Sequence, residues 1–169
     1  SYDIPFAFRR TVTPNEVIIV YMDEESHRIL NQPRFDLWNR SLHAQLIDRL
    51  HAAGAKAIVF DILFDKTNTP AADQDLVRAA KAHGRVAVSA MVGDLNFNWR
   101  QIGTVPVRPF PELQNAVAAW GIVEKPDGER TVRRHYQGEF NIPGMASEVA
   151  ALIMTNPPAG DMPRWMNYY

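Results

Sequence analysis

The chain has 169 residues, 46% of them hydrophobic, and its 18 basic and 19 acidic side chains leave a net charge of −1. That length supports one domain with a real core, and balanced charge with no basic run beyond Arg133-Arg134 does not point to nucleic acid. The absence of cysteine excludes disulfides, thiolate nucleophiles and cysteine-ligated zinc together.

Residues 1–13 mix Tyr2, Phe6 and Phe8 with Arg9 and Arg10 and read as an arm or short helix lying on the domain. Pro14-Asn15 is a turn signal. Residues 17–22, VIIVYM, are expected to form the first buried strand, ended by Asp23. Residues 24–31 have the length of one or two helical turns, with Glu24 and Glu25 suited to a helix N-terminus. In residues 39–53, Leu42, Leu46, Ile47, Leu50 and Ala53 recur on one helical face, with Asn39 or Asp36 as N-cap and Gly54 as C-terminal cap.

The stretch AKAIVFDILFD, residues 55–65, is the centre of the reading. Ala57, Ile58, Val59 and Phe60 form an unbroken apolar run, the pattern of a strand buried on both faces. A strand, one helix and a second strand make a right-handed parallel unit the default. Asp73 reads as the N-cap of the next helix, whose buried face is Leu76, Val77 and Ala80, and Gly84 closes it. Residues 86–90, VAVSA, are the third strand.

Beyond this β-α-β-α-β core, residues 93–104 are polar and read as loop, and Pro106, Pro109 and Pro111 punctuate an extended segment. Residues 120–124 and 132–139 flank Pro126-Asp127-Gly128-Glu129, the signature of an antiparallel hairpin. Residues 145–154 read as a helix with Val149, Leu152 and Ile153 inward, and residues 164–169, RWMNYY, as a last strand. The expected fold is a two- or three-layer α/β domain spanning residues 1–169. Its mixed sheet combines the parallel core with an antiparallel C-terminal hairpin and flanking helices. A chain running from Ser1 to Tyr169 without a tail also reads as a piece of a longer protein.

Asp23 and Asp61 end neighbouring strands in this reading, with Asp65 close behind, so their carboxylates share the sheet rim where α/β proteins form crevices. Convergent carboxylates hold a hard cation; equally, each acid caps a turn or pairs with a basic group such as Arg40. Asp23, Arg40, Asp61 and Asp65 are the candidate ligand-binding site. Glu24, Glu25, Ser26 and His27 are adjacent and point apart on a helix, so they make no triad. His43 and His51 lie two turns apart, too far for one metal, and His27, His83 and His135 belong to no HExxH motif. Arg130, Arg133 and Arg134 can receive an anion or simply solvate a hairpin. Nothing in the sequence calls for a cofactor or for a catalytic residue.

Taken in order, these pieces resemble the type-two CHASE domain, the sensory extracellular domain associated with cyclases and histidine kinases. The resemblance is carried by Tyr2-Asp3, by VIIVYMDEES at residues 17–26 and by Trp38-x-Arg40. It continues in AGAKAIVFDILF at residues 53–64, Asp73-x-Asp75-Leu76 and the strand at residues 84–89. Further on it rests on Trp120-Gly121, Asp127-Gly128, Arg133-Arg134, residues 147–152 and RWMNYY. It implies a non-catalytic sensor outside the cytoplasmic membrane, anchored by flanking helices and binding a small-molecule or ion ligand. A homodimer is the expected signalling unit, joined to a cytoplasmic histidine kinase, Ser/Thr kinase or nucleotide or diguanylate cyclase. Tyr21 and Met22 depart from the smaller aliphatic pair usual before Asp23.

The rival is a cytoplasmic phosphoacceptor receiver domain, with Asp23 and Glu24 binding magnesium and Asp61 as acceptor. Only one strong helix separates Asp23 from Asp61, whereas a receiver needs a helix, a strand and a second helix. No lysine follows Ser89 before Lys125. A stand-alone hydrolase using Asp23 and Asp61 has no nucleophile–base pair to support it.

Overall fold

The computed structural model describes residues 16–124 and 136–157. In chain order the elements are α1 (Glu24–Ile29), α2 (Arg40–Ala52), β1 (Ile58–Leu63), α3 (Pro70–His83), β2 (Val86–Phe97) and β3 (Arg100–Val107). They are followed by α4 (Pro111–Gln114), β4 (Ala119–Ile122), β5 (Gly138–Glu139), β6 (Ile142–Pro143) and α5 (Met145–Ile153). The expected arm at residues 1–13, the turn at 126–129 and the strand at 164–169 lie outside the described residues.

The centre of the sheet is β2. Its first half, Val86 to Ala90, runs parallel to β1 on one side and parallel to β4 on the other. Its second half turns into a long antiparallel hairpin with β3, paired from Met91 opposite Val107 to Phe97 opposite Arg100 with a one-residue register shift between Leu95 and Asn96. The Phe110 amide donates to the Phe64 carbonyl at 2.8 Å, which ties the returning chain to the end of β1.

One face of the sheet carries the main core. Ile58 and Phe60 of β1 and Val86 and Val88 of β2 meet Ala44 and Ile47 of α2 and Leu76, Ala79 and Ala80 of α3. The opposite face is covered by α5, where Met145, Val149 and Leu152 pack on Ala87 and Ala119. The result is the three-layer version of the expected architecture. The first half of β2 and β4 are nearly free of polar residues because both faces are covered, whereas β1 leaves Val59 and Asp61 exposed on the α5 side.

Several sequence expectations are corrected. Residues 17–22 are no strand: they carry no regular structure, and Ile18 and Tyr21 are 84% and 72% exposed. Hence, among the described residues, β1 is an edge strand and not the interior strand expected for residues 57–60. The expected β-α-β-α-β core is present only from β1 onward. Helix α3 starts at Pro70 behind an N-cap at Thr69, three residues before Asp73. The Thr69–Pro70 pair carries a stronger start signal than the acid. Residues 93–104 are the β2–β3 hairpin. Their polarity reflects two solvated faces, and the reversal sits at Asn98 and Trp99, both with positive φ. The segment at Trp120 pairs parallel with β2; the expected antiparallel hairpin with residues 132–139 lies in part outside the described residues. In α5, Val149 and Leu152 face inward as expected, but Ile153 is 58% exposed.

Helix ends follow local chemistry. Asn39 caps α2 by accepting the Ser41 amide at 3.0 Å. Gly84 ends α3 with φ 75°, a left-handed conformation that glycine adopts without penalty. Gly121 serves a different purpose: a Cβ there would stand 2.8 Å from the Met145 backbone. The closeness of α5 to β4 therefore depends on that missing methyl.

Two substitutions separate these roles. Gly84→Ala meets open space and should cost about 1–2 kcal/mol of backbone strain, with no change in packing. Gly121→Ala should cost about 3 kcal/mol and loosen α5. Urea unfolding gives the energies; faster amide exchange in α5, in the second variant alone, gives the location.

Candidate functional site

The C-terminal end of β1 is where the sheet, α2 and α3 converge, and it holds a buried charge. Arg40 opens α2 and is 2% exposed. Its Nε lies 3.3 Å from Asp73 Oδ1, an ion contact outside hydrogen-bond geometry, and its Nη2 donates to the Lys66 carbonyl. The guanidinium sits over the rings of Phe64 at 4.7 Å and Phe110 at 5.3 Å, an arrangement that favours a planar cation. Burial lowers the Arg40 pKa, and Asp73 and then Asp65 oppose that shift. The second Asp73 oxygen accepts the Asn68 amide at 2.8 Å. The pair therefore fixes the turn between β1 and α3 as well as the start of α2.

His43 lies one turn further along α2, buried against Phe60 and Phe64. Neither ring nitrogen has a hydrogen-bond partner among the described residues. Burial first, and the Arg40 charge second, push its pKa from 6.5 down to about 4; the Asn39 backbone pulls the other way without completing a hydrogen bond. The ring is thus neutral at physiological pH and serves as a flat packing unit.

The four candidate residues do not gather on one rim. Asp23 is the N-cap of α1, its Oδ1 accepting the Ser26 amide at 2.8 Å and hydroxyl at 2.6 Å. Those two bonds hold its pKa below the ordinary carboxylate value. Arg40 is matched to Asp73, which the sequence reading had placed as a cap, with Asp65 near enough to act on its charge. Asp61 alternates with Phe60 and so points to the other face of the sheet. There it lines an apolar groove of about 460 Å³ with Val59, Val123, Val149, Ile153 and Met154. Among the described residues, no group of three or more His, Asp or Glu converges on a metal position. The receiver arrangement fares no better: Asp23 caps a helix, and Glu24 binds Arg34 through Nε at 2.7 Å.

Sequence spacing missed the Arg40–Asp73 pair because each residue also fits a helix start. The available signal was Arg40 one position after the Asn39 cap, on the same helical stripe as His43, Ala44 and Ile47, the residues that proved buried.

The buried pair predicts a large asymmetry between single and double replacements. Arg40→Ala leaves Asp73 uncompensated and should cost about 3–5 kcal/mol, whereas Arg40→Met with Asp73→Leu should recover most of that loss. His43 predicts a pH dependence. The unfolded chain protonates this ring near 6.5, while the folded chain resists until about 4. The contribution of the neutral ring is therefore complete above pH 6.5 and is lost as pH falls towards 4. The loss is of the order of 3 kcal/mol. Urea titrations from pH 7 to 4 should show it in the wild type and a shallower slope in His43→Phe.

Against this geometry, comparison with known proteins gives a single finding. The CHASE2 domain model matches residues 1–168. No curated protein and no solved structure gives a match. No helix among the described residues is long and apolar enough to cross a membrane. With the model matched across essentially its whole length, the chain belongs to the CHASE2 family, the sensory extracellular domains of signalling receptors.

Proposed function

We propose that this chain is the non-catalytic input domain of a transmembrane receptor, on the periplasmic side of the cell membrane. Flanking membrane helices anchor it, and its output is a cytoplasmic histidine kinase, Ser/Thr kinase or nucleotide or diguanylate cyclase. The observation that carries this reading is the family match over residues 1–168. The unit that signals is a homodimer.

A sensor requires two conformations that a ligand distinguishes. The reading places its input at the end of β1, where Asp61 stands at the groove and Asp65 beside buried Arg40. The ligand is a small polar molecule or a cation that engages Asp65 on the Arg40 side of β1 or Asp61 in the groove, and Asp23 directly follows residues 17–22. Asp65 already acts on the charge of Arg40, so a cation or a polar group arriving at Asp65 alters an existing interaction. That is the differential contact a switch needs.

Thermal melting of the chain against millimolar divalent cations and a panel of small polar metabolites tests this reading. At least one compound should raise the wild-type melting temperature, because binding the folded state stabilises it by mass action. Asp61→Ala and Asp65→Ala should both keep the fold, and the variant that removes the engaged acid should lose that shift. A panel that moves nothing overturns the ligand-binding role. The same preparations should turn over no phosphate ester, peptide or glycoside.

A further inference from the structure

Residues 17–22 present VIIVYM to solvent, with even the least exposed side chain, Met22, 42% open. Such a run is unusual on a surface, and its alternate positions are apolar on both parities. A strand covered on both faces uses that pattern, and the β-branched Val17, Ile18, Ile19 and Val20 favour it over a helix.

A place for such a strand exists beside β1. The Ile58 amide donates to the Arg85 carbonyl on the β2 side. By alternation, the Val59 backbone groups face the other edge, where no described residue pairs with them. On the groove side of that edge, Val59 is 46% and Ile153 58% exposed. On the helical side, α2 is held to α3 by Ser41–Asp75 and Asp48–Arg78. Those contacts lie on one flank. The opposite flank carries Leu42, Leu46 and Leu50, only half-buried. The edge, the leucine stripe and the groove adjoin one another, and no described strand pairs with that edge.

The chain itself supplies the occupant at the right end. Directly after Met22, α1 is positioned by two exposed contacts, the Asp23 cap and the Glu24–Arg34 pair. The His27 ring meets that of buried Trp38 at 4.8 Å, just before α2. That end of α2 lies over the C-terminal end of β1, where Arg40 reaches the Lys66 carbonyl. A strand parallel to β1 and joined to it through α2 would finish there, with the right-handed crossover that such units adopt. The tether also gives the segment a local concentration that a second copy lacks.

We infer that residues 17–22 dock in cis as a parallel strand on the edge of β1 that no described residue pairs, so that the chain alternates between the released form described above and a docked one. As a signalling device this rests on the sensory reading, but docking itself does not, and the melting screen and the following experiment fail independently.

The cysteine-free chain permits a clean cross-link. One cysteine is placed at Ile18, Ile19 or Val20 and a second at Val59, and each single-cysteine chain is first checked to melt as the wild type does. Mild oxidation at low micromolar concentration should close a disulfide within one chain, in the register that shares the Val59 face. The control pair Phe35→Cys with Val59→Cys should stay reduced, since Phe35 is 97% exposed and lies beyond α1. Amide exchange on the wild type, which needs no variant, should be about tenfold or more slower at residues 17–22 than at residues 34–36. A disulfide that forms only between chains assigns the edge to a second copy and overturns the proposal. So does the absence of an intrachain disulfide in every register, or exchange at residues 17–22 as fast as at residues 34–36.

Discussion

The buried guanidinium of Arg40 is the constraint on which the arrangement of this domain depends. One side chain touches the start of α2, the backbone just after β1 at Lys66, the first turn of α3 through Asp73, and the rings of Phe64 and Phe110. A charge in such a place is tolerable only while every partner stays in position, because desolvation of an unpaired ion outweighs most packing gains. Its placement therefore orders the elements around the end of β1 more stringently than apolar contact alone, which accepts many packings of similar volume. Neutral His43 beside it completes the apolar wall without adding a second charge.

That rigid corner contrasts with the surfaces next to it. Helix α1 is held by exposed contacts, the Asp23 cap and the Glu24–Arg34 pair, each a modest interaction in water. The groove beneath α5 is apolar but open, and the β1 edge next to it is unpaired among the described residues. A firmly ordered corner adjoining a weakly held N-terminal region suits a domain that must register an event and pass it along its chain. The weak part can move without unfolding the rest.

Elements whose cause is local were legible in the sequence. Asn39, Gly54 and Gly84 marked helix ends because caps are decided within a few residues. Residues 86–90 and the apolar run of β1 were plain because β-branched and aromatic residues without polar alternation mark strands that pack in a sheet interior, although Val59 of β1 stays half exposed. What failed had non-local causes. The polar stretch beyond Gly93 reads as loop on composition. It is strand because antiparallel pairing with β3 satisfies its backbone while both faces remain wet. Residues 17–22 read as a buried strand from their side chains alone, yet composition does not fix whether an edge is occupied. The acids stand out one by one in the sequence, but spacing could not reveal that Asp61 faces away from Arg40, nor that Asp73 takes up its charge.

The β2 strand has a mechanical consequence. It is continuous from Val86, 0% exposed between two layers of helices, to Phe97 at the hairpin turn beside fully exposed Trp99. At about 3.3 Å per residue, the run from Ser89 to Phe97 reaches roughly 25 Å out from the core. Paired with β3 along most of that length, it is a lever whose fulcrum is the interior of the domain. A lateral push at the Trp99 tip is delivered as torque to the strand that β1, β3 and β4 all share.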